Sequence, residues 1–369
     1  MTLSTADVCA LALLAHHLGR DLQRAARRAG GPRSLLTASD DVFCAALGVS
    51  GAGRARVAGV RRQVAQTDAE AVLKARGITA IGAGDGRASP LLAQAFDPPF
   101  GVFTTAPGRC AEAWDGRRPV IAIVGSRRAG VASTAFAASL AAGLVRRGAV
   151  IVSGLARGVD AAAHRGALDA AGTTIAVLGA GVDSSYPRAN RALRKRIDAE
   201  GAVVSEYWPE TLPAPWRFPA RNRIVAGIAH AVVVVDAAAT SGALITADFA
   251  VELGRPVLAV PHPPWEAGGA GAVNLIATGA AVCRGVDDVV DEVPHPGWTD
   301  LGGAVPPTEL EGTAARVFDR IRTCPGRLDE LVSHLSLEAR EVSAALAELE
   351  LAGLAVVDAQ QRWLAQPTH

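Results

Sequence analysis

Val120-Ile-Ala-Ile-Val-Gly125-Ser-Arg-Arg128 decides the fold. Five apolar residues in a row, four of them β-branched, mark a strand buried on both faces, the habit of strands in parallel sheets. The run stops at a glycine, and a helical pattern, Ala132–Arg147, follows. The same unit recurs. Ala149–Ser153, Thr174–Leu178, Ala202–Val204, Ala231–Asp236 and Val257–Val260 read as further strands; Ala161–Ala171, Ala189–Ala199 and Leu244–Leu253 read as helices between them. Strand, turn and helix in alternation predict an α/β, Rossmann-like, doubly wound and mostly parallel sheet. Ligands of such sheets bind beyond the carboxyl ends of the strands, where these glycine turns stand.

Outward from this core, the expected domain spans 119–290. Residues 1–72 read as a small helical domain, with Val8, Leu11, Leu14, Leu18 and Leu22 at helical spacing. Its turn Gly48-Val-Ser-Gly-Ala-Gly53 precedes the basic stretch Arg54–Arg62. That fits a helix–hairpin–helix or SAM-like unit whose turn amides meet a phosphate, and fits equally a helical domain with a solvated Arg face. Residues 73–118 are a connecting region with turn signals at Asp97-Pro-Pro99 and Ala106-Pro-Gly108, and Phe100–Phe103 between them reads as a short edge strand. A stretch rich in Pro and acidic residues from about Asp287 supplies a linker at 291–309. Residues 310–369 carry helical patterns near Thr313–Arg322, Leu328–Leu335 and Glu338–Leu351, then runs at Ala355–Val357 and Arg362–Leu364. Three helices and a hairpin predict a winged helix.

The bulk numbers bound the function. The 369 residues allow two or three domains, and 50% hydrophobic against 20% charged excludes a disordered chain. Aromatics are only 4%, so alanine and valine must build much of the core. The net charge of +1 hides a segregation. Arg117–Arg223 holds 16 Lys/Arg against 7 Asp/Glu; Ile224–Gly312 holds 2 against 11. A basic half of this kind is an electrostatic footprint for a polyanion. The five cysteines have neither metal nor redox spacing and read as buried hydrophobes in a reducing compartment. No signal-type segment and no apolar run near the roughly 20 residues of a membrane helix is present, so the expected location is the cytoplasm, with no membrane partner.

Four turns carry the chemistry. Gly125-Ser126-Arg127-Arg128 offers close backbone approach, helix N-terminal amides, a hydroxyl and guanidiniums, all suited to phosphate. It is neither G-x-G-x-x-G nor a Walker A loop, and Ser153 ends the second strand where a nicotinamide site needs an acid, so no cofactor is expected. In Ser153-Gly154-Leu-Ala-Arg157-Gly-Val-Asp160, Arg157 stands within a glycine-bracketed turn and Asp160 reads as a helix cap, with His164 on the same face. An acid–base pair there would lack a nucleophile or metal. Phe218-Pro-Ala-Arg221-Asn222-Arg223 leads into a helical pattern at Ile224–Ile228; two guanidiniums and an amide suit two phosphates, or a phosphate and a base edge. At least one of these arginines is expected to pair with a carboxylate such as Glu206. Phe218 reads either as a base-stacking ring or as core. Thr240-Ser241-Gly242 is a second anion-ready helix start, or an ordinary N-cap.

In order along the chain, these strings resemble the DprA family (DNA-processing protein A, also called Smf): Val124-Gly-Ser-Arg127; Ser153–Asp160 with Ala163–Ala167; Thr174–Asp183 with Tyr186-Pro187 and Asn190; Phe218–Ile224 with Ala226-Gly227; and Ser241-Gly242 through Ile245–Ala247. The resemblance implies a non-enzymatic protein that binds single-stranded DNA, forms homodimers through its Rossmann-like domain, and loads the RecA recombinase on incoming strands in natural transformation. It implies phosphate contacts from Ser126, Arg127, Arg221 and Arg223, with Phe218 and Asn222 in the same pocket; Gly125, Gly154, Arg157, Arg217, Ser241 and Gly242 complete the expected DNA-binding set, with no catalytic residue and no metal. The chain departs from the family pattern at Pro261-His262, at Gly271-Ala272-Val273 and at Asp236. A nucleotide-processing enzyme of the same superfold, the LOG-type phosphoribohydrolases, is the alternative, but their Pro-Gly-Gly-x-Gly-Thr string is absent and no Glu follows Ser241 before Glu252. Sequence-specific duplex binding by the winged helix is a third reading; the last helix carries Glu338, Glu341, Glu348 and Glu350 against Arg340, a poor face for a phosphate backbone.

Overall fold

The structure of the protein, a computed structural model, describes residues 3–263, 265–299, 312–351, 354–358 and 361–365. The N-terminal helices are α1 (Thr5–Leu18), α2 (Gln23–Arg28), α3 (Pro32–Thr37), α4 (Asp40–Leu47), α5 (Gly53–Gln66) and α6 (Ala69–Ala75). Ser4 and Asp7 form a reciprocal capping box at the start of α1, and Gly19 ends it in the left-handed conformation. The apolar face of α1, with Val8, Leu11 and Leu14, is buried against the other helices.

Strand β1 (Thr79–Gly82) and strand β2 (Gly101–Thr104) precede α7 (Pro107–Trp114). The alternating core follows: β3 (Val120–Gly125), α8 (Val131–Arg146), β4 (Val150–Ser153), α9 (Val159–Asp169), β5 (Thr174–Leu178), α10 (Arg191–Glu200), β6 (Ala202–Ser205), α11 (Arg217–Gly227), β7 (Ala231–Asp236), α12 (Gly242–Glu252), β8 (Val257–Ala259), α13 (Ala270–Ala277), β9 (Ala281–Val282) and α14 (Val286–Glu292). The sheet order is β1-β2-β6-β5-β4-β3-β7-β8-β9. Strands β3 to β9 run parallel; β1 and β2 pair antiparallel on the β6 side. The α/β, mostly parallel reading therefore stands. Winding proceeds from β3 through β4, β5 and β6, then returns to place β7 on the other side of β3. The ends of β3 and β7 are thus the topological switch point, where a crevice opens.

The period of two along β3 explains the double burial. Ile121 and Ile123 face α8 and α9, while Ala122 and Val124 face α11 and α12. Small residues on the helices, such as Ala137, Ala141, Ala163 and Ala167, bring α8 and α9 close together, as the scarcity of aromatics requires.

Several expectations need correction. The sequence puts Phe100–Phe103 at a sheet edge, but β2 is paired on both sides and the outer strand is β1, whose short Thr-Ala-Ile-Gly run carries little signal. Pro107 does not mark a turn; it starts α7, a position where its missing N–H costs nothing. The acid-rich stretch from Asp287 is first the helix α14, not linker. The segment beyond it stays on the domain: the Thr299 amide donates to the Arg147 carbonyl at 2.9 Å, the Arg147 side chain donates from Nε to the Thr299 carbonyl at 3.0 Å, and the rings of His230 and His295 meet edge to face at 4.6 Å. Linker residues 300–309 lie outside the described residues.

C-terminally, α15 (Gly312–Thr323), α16 (Leu328–Leu335) and α17 (Ala339–Leu351) enclose a small core of Val317, Ile321, Leu331, Val342, Leu346 and Leu349. Strands β10 (Ala355–Val357) and β11 (Trp363–Ala365) form the hairpin of a winged helix.

Candidate nucleic-acid interface

A cleft of about 640 Å³ opens beyond β3 at the switch point. Its floor is the turn Gly125–Arg128. The Ser126 amide donates to the Asp236 carbonyl at 2.7 Å, and the Ser126 carbonyl accepts from the Val159 amide at 3.2 Å. The turn is therefore pinned between the end of β7 and the start of α9. Gly158 allows that contact: its φ is +74°, and a side chain there would strike the Ser126 carbonyl. Arg127 and Arg128 project from the turn and are exposed. Neither has a carboxylate partner among the described residues; Arg127 lies over the Phe218 ring, 5.3 Å from its centre.

The second wall is the loop after β4. The sequence points to Asp160 as a helix cap, but the cap position of α9 is Gly158 and Asp160 lies inside the first turn. Its carboxylate instead accepts from the Gly154 and Ala156 amides at 3.1 and 3.2 Å, folding the loop back on itself. Asn190 donates to the Leu155 and Ala156 carbonyls from the other side. Leu155 is held buried at φ +57°, a conformation a branched side chain adopts only under such restraint. This clamp presents Arg157 outward, exposed and without an ion-pair partner among the described residues, at a small annex of about 80 Å³ shared with Arg127, Phe218 and Tyr186. His164 is fully buried, with Nδ1 2.7 Å from the Thr174 hydroxyl. Burial, with the nearby Arg221 and Arg165, pulls its pKa down to about 3, so it stays neutral.

The third wall is α11, and here the sequence reading is corrected most. The helix begins at Arg217, not at Ile224, with Pro219 tolerated in its first turn. Arg221, Asn222 and Arg223 are therefore helical and fan out by about 100° per residue. Arg221 points under the cleft and is only 4% exposed. It donates to the Gly154 carbonyl at 2.7 Å and to the Val177 carbonyl, and any side chain at Gly154 would collide with its guanidinium. Burial lowers the Arg221 pKa against the pull of Asp160; burial likewise raises the Asp160 pKa against the pull of Arg221 and the loop amides. Both groups are engaged with backbone, Asp160 with two loop amides and Arg221 with two carbonyls, so they shape the loop and neither is a free charge aimed at a ligand. Arg223 turns to the opposite side and grips Glu206 with both terminal nitrogens, at 2.9 and 2.6 Å, with Asp97 3.7 Å from Nε. Burial alone would lower its pKa; Glu206 and Asp97 override this and raise it. One arginine pairing with Glu206 is what the sequence reading anticipated; a phosphate contact by Arg223 is not compatible with this placement. Arg217 also faces away, donating to the Leu212 carbonyl and stacking on Trp216 and Tyr207.

Phe218 and Asn222 remain on the cleft. Phe218 is half-buried against Tyr186, with ring centres 5.5 Å apart, so it is neither core nor fully free. Asn222 donates to the Gly242 carbonyl at 3.1 Å and fastens α11 to the start of α12. Ser241 caps α12 by accepting from the Ala243 amide at 3.3 Å, and it lines the cleft as well, so the two readings of that turn coincide. Asp160 is the one carboxylate among the described cleft-lining residues, set against Arg127, Arg128 and Arg221. The acidic half of the chain thus contributes hydroxyls here, not charge.

Tyr186 was not among the site residues expected from sequence. The signal was available: a lone aromatic in the turn after β5, at the same carboxyl edge as the glycine turns. Arg128, already part of the phosphate-suited first turn in the sequence, is exposed beside Arg127.

Residues 80–294 match the family model for DNA recombination-mediator protein A, and residues 304–359 match that of the DprA winged helix domain. A putative DNA processing protein DprA of Mycobacterium tuberculosis is 43% identical over 243 residues, covering 63% of this chain and 61% of that protein. Protein Smf of Synechocystis is 37% identical over 271 residues, covering 65% and 68%. The match to the first of these relatives thus spans about three fifths of its length. The X-ray structure of DNA processing protein A from Streptococcus pneumoniae superposes with a TM-score of 0.64 at 29% identity, covering 80% of this chain and 99% of that one. A Helicobacter pylori structure, described as showing the single-stranded DNA binding mode of DNA processing protein A, gives 0.52 at 26% identity, covering 58% and 94%. Among the described residues, no helix is long and apolar enough to cross a membrane.

Proposed function

The chain belongs to the DNA recombination-mediator protein A (DprA/Smf) family, and on that premise we propose that it binds single-stranded DNA in the cleft beyond β3, β4 and β7. Ser126, Arg127, Arg128 and Arg157 meet the phosphates, and Phe218 with Tyr186 meets the bases. The observation that carries this reading is the group of three exposed guanidiniums, Arg127, Arg128 and Arg157, without ion-pair partners among the described residues at the carboxyl end of a parallel sheet. Unpaired cations beside half-exposed aromatic rings suit a strand whose bases are free to stack, whereas a duplex keeps its bases inside.

The reading is one of binding, not of catalysis. Asp160 is spent on two backbone amides and His164 is sealed in the core, so the acid–base pair considered from sequence does not face the cleft as a unit. In the same reading the protein is cytoplasmic, protects single strands as a homodimer through its α/β domain and loads RecA upon them, as the family resemblance implies for transformation and recombination. The test is a titration of single- and double-stranded DNA at several salt concentrations, with and without RecA. The single strand should bind more tightly, with a log–log salt slope of about −2 from three phosphate contacts at roughly −0.7 each. RecA filaments should nucleate faster on strands carrying the protein. Equal affinity for duplex, a slope near zero, or release of free base from a nucleoside monophosphate would each overturn the proposal.

A further inference from the structure

A second cavity, of about 240 Å³, lies on the other side of the first turns of α11, between that helix, the segment after β6 and helix α1. Resting on the single-strand reading above, we propose that it receives a nucleobase of the same strand as it leaves the cleft, with Trp216 as the stacking surface.

Composition is the first argument. The chain has only eight Phe, six Trp and two Tyr, yet Phe100, Tyr207, Trp208, Trp216 and Phe249 all line this one cavity. Trp216 is 46% exposed, unusual for an indole in a chain so poor in aromatics. The Arg217 guanidinium lies 4.7 Å from the Trp216 ring and 5.2 Å from the Tyr207 ring, and the two rings meet at 87°. Such an arrangement offers π-faces and a planar cation to any base, whatever its sequence. The Tyr207 hydroxyl makes no hydrogen bond to another described group and supplies a donor and an acceptor for a base edge.

Charge decides which part of a nucleotide fits. Around the cavity Arg20, Arg217 and Arg223 are matched by Asp21, Asp97 and Glu206. Balanced charge gives no net attraction for a phosphate and leaves a neutral planar ring as the suitable occupant. The phosphate cleft, by contrast, has cations in excess. Geometry connects the two: Phe218, Pro219 and Asn222 face the cleft, while Arg217, Ala220 and Arg223 of the same helix face the cavity. The width of one helix, about 10 Å, separates them, so a strand crossing the Pro215–Phe218 rim at the start of α11 passes from one to the other.

The experiment uses the full-length chain, with oligothymidylates of about 6 and about 20 nucleotides, which bracket common site sizes. Trp216→Ala should weaken binding of the long strand about tenfold while leaving the short strand within about twofold, with an unchanged salt slope because no phosphate contact is lost. Trp216→Phe should restore most of the long-strand affinity, and Trp216 fluorescence should be quenched by the long strand only. The proposal falls if Trp216→Ala weakens both lengths equally, which is the sign of a displaced helix, if it changes neither, or if the salt slope drops, which marks a phosphate contact. Binding of neither length by the unaltered protein removes the single-strand reading itself, while loss of the length effect alone removes only this cavity.

Discussion

Ser126-Arg127-Arg128 and Arg221-Asn222-Arg223 have nearly the same composition, and both belong to elements that wall the same cleft. Their guanidiniums nevertheless do different work. The first triplet follows a strand end in an open turn, where the chain runs outward and each arginine reaches solvent. The second lies within a helix packed on the sheet, so one arginine goes beneath the cleft and the other to a carboxylate on the far side. An arginine beside a phosphate site can thus be a ligand or a strut, and backbone conformation chooses between them. The struts serve the ligands, because Arg221 and Asp160 hold the loop that displays Arg157.

The sharpest way to break this contrast is to remove the struts. Arg223→Ala should lower stability by about 3–5 kcal/mol, since it leaves the largely buried Glu206 carboxylate without its bidentate partner, and Arg221→Ala should cost a little less, by leaving the Gly154 and Val177 carbonyls without a donor. Denaturant titration reads both. If Arg221→Ala folds with normal stability but loses DNA, the arginine is a ligand after all.

His164 probes the same buried region through pH. Its native pKa of about 3 lies below the unfolded value of about 6.5, so between those limits the unfolded chain binds a proton that the native one does not. Stability should therefore fall as pH drops through that window, by about 1.4 kcal/mol per unit at most from this group. His164→Asn should flatten that part of the profile, and an unchanged slope would assign the acid sensitivity to other groups.

For the open turn the expectation reverses. Arg127→Ala with Arg128→Ala should leave stability within about 0.5 kcal/mol, weaken single-strand binding about a hundredfold at low salt, and reduce the log–log slope by roughly 1.4. The smallest effect is expected of Phe218→Leu, about fivefold in affinity with no change of slope, because only stacking is lost. A change of slope there would mean that the Phe218 ring works mainly by positioning Arg127.

The sequence by itself determined the doubly wound sheet, the glycine turns at the carboxyl ends of its strands, the segregation of charge and the family. These are local signals: a run of β-branched residues, a glycine after it and a helical period need no knowledge of distant neighbours. It also exposed the pairing of an arginine with Glu206, because an arginine buried in a core needs a carboxylate. Only the tertiary structure decided which charges are free. The start of α11 at Arg217 is set by packing against β5 and α12, since Pro219 and the flanking residues carry no strong helix signal. Once that start is fixed, the helical rotation sends Arg221 and Arg223 about 200° apart. Asp160 likewise reads as a cap until Gly158 takes that position and leaves its carboxylate to the loop. Fold depends on which faces are apolar, which is written along the chain; a binding site depends on where side chains end, which is fixed only when the elements are packed.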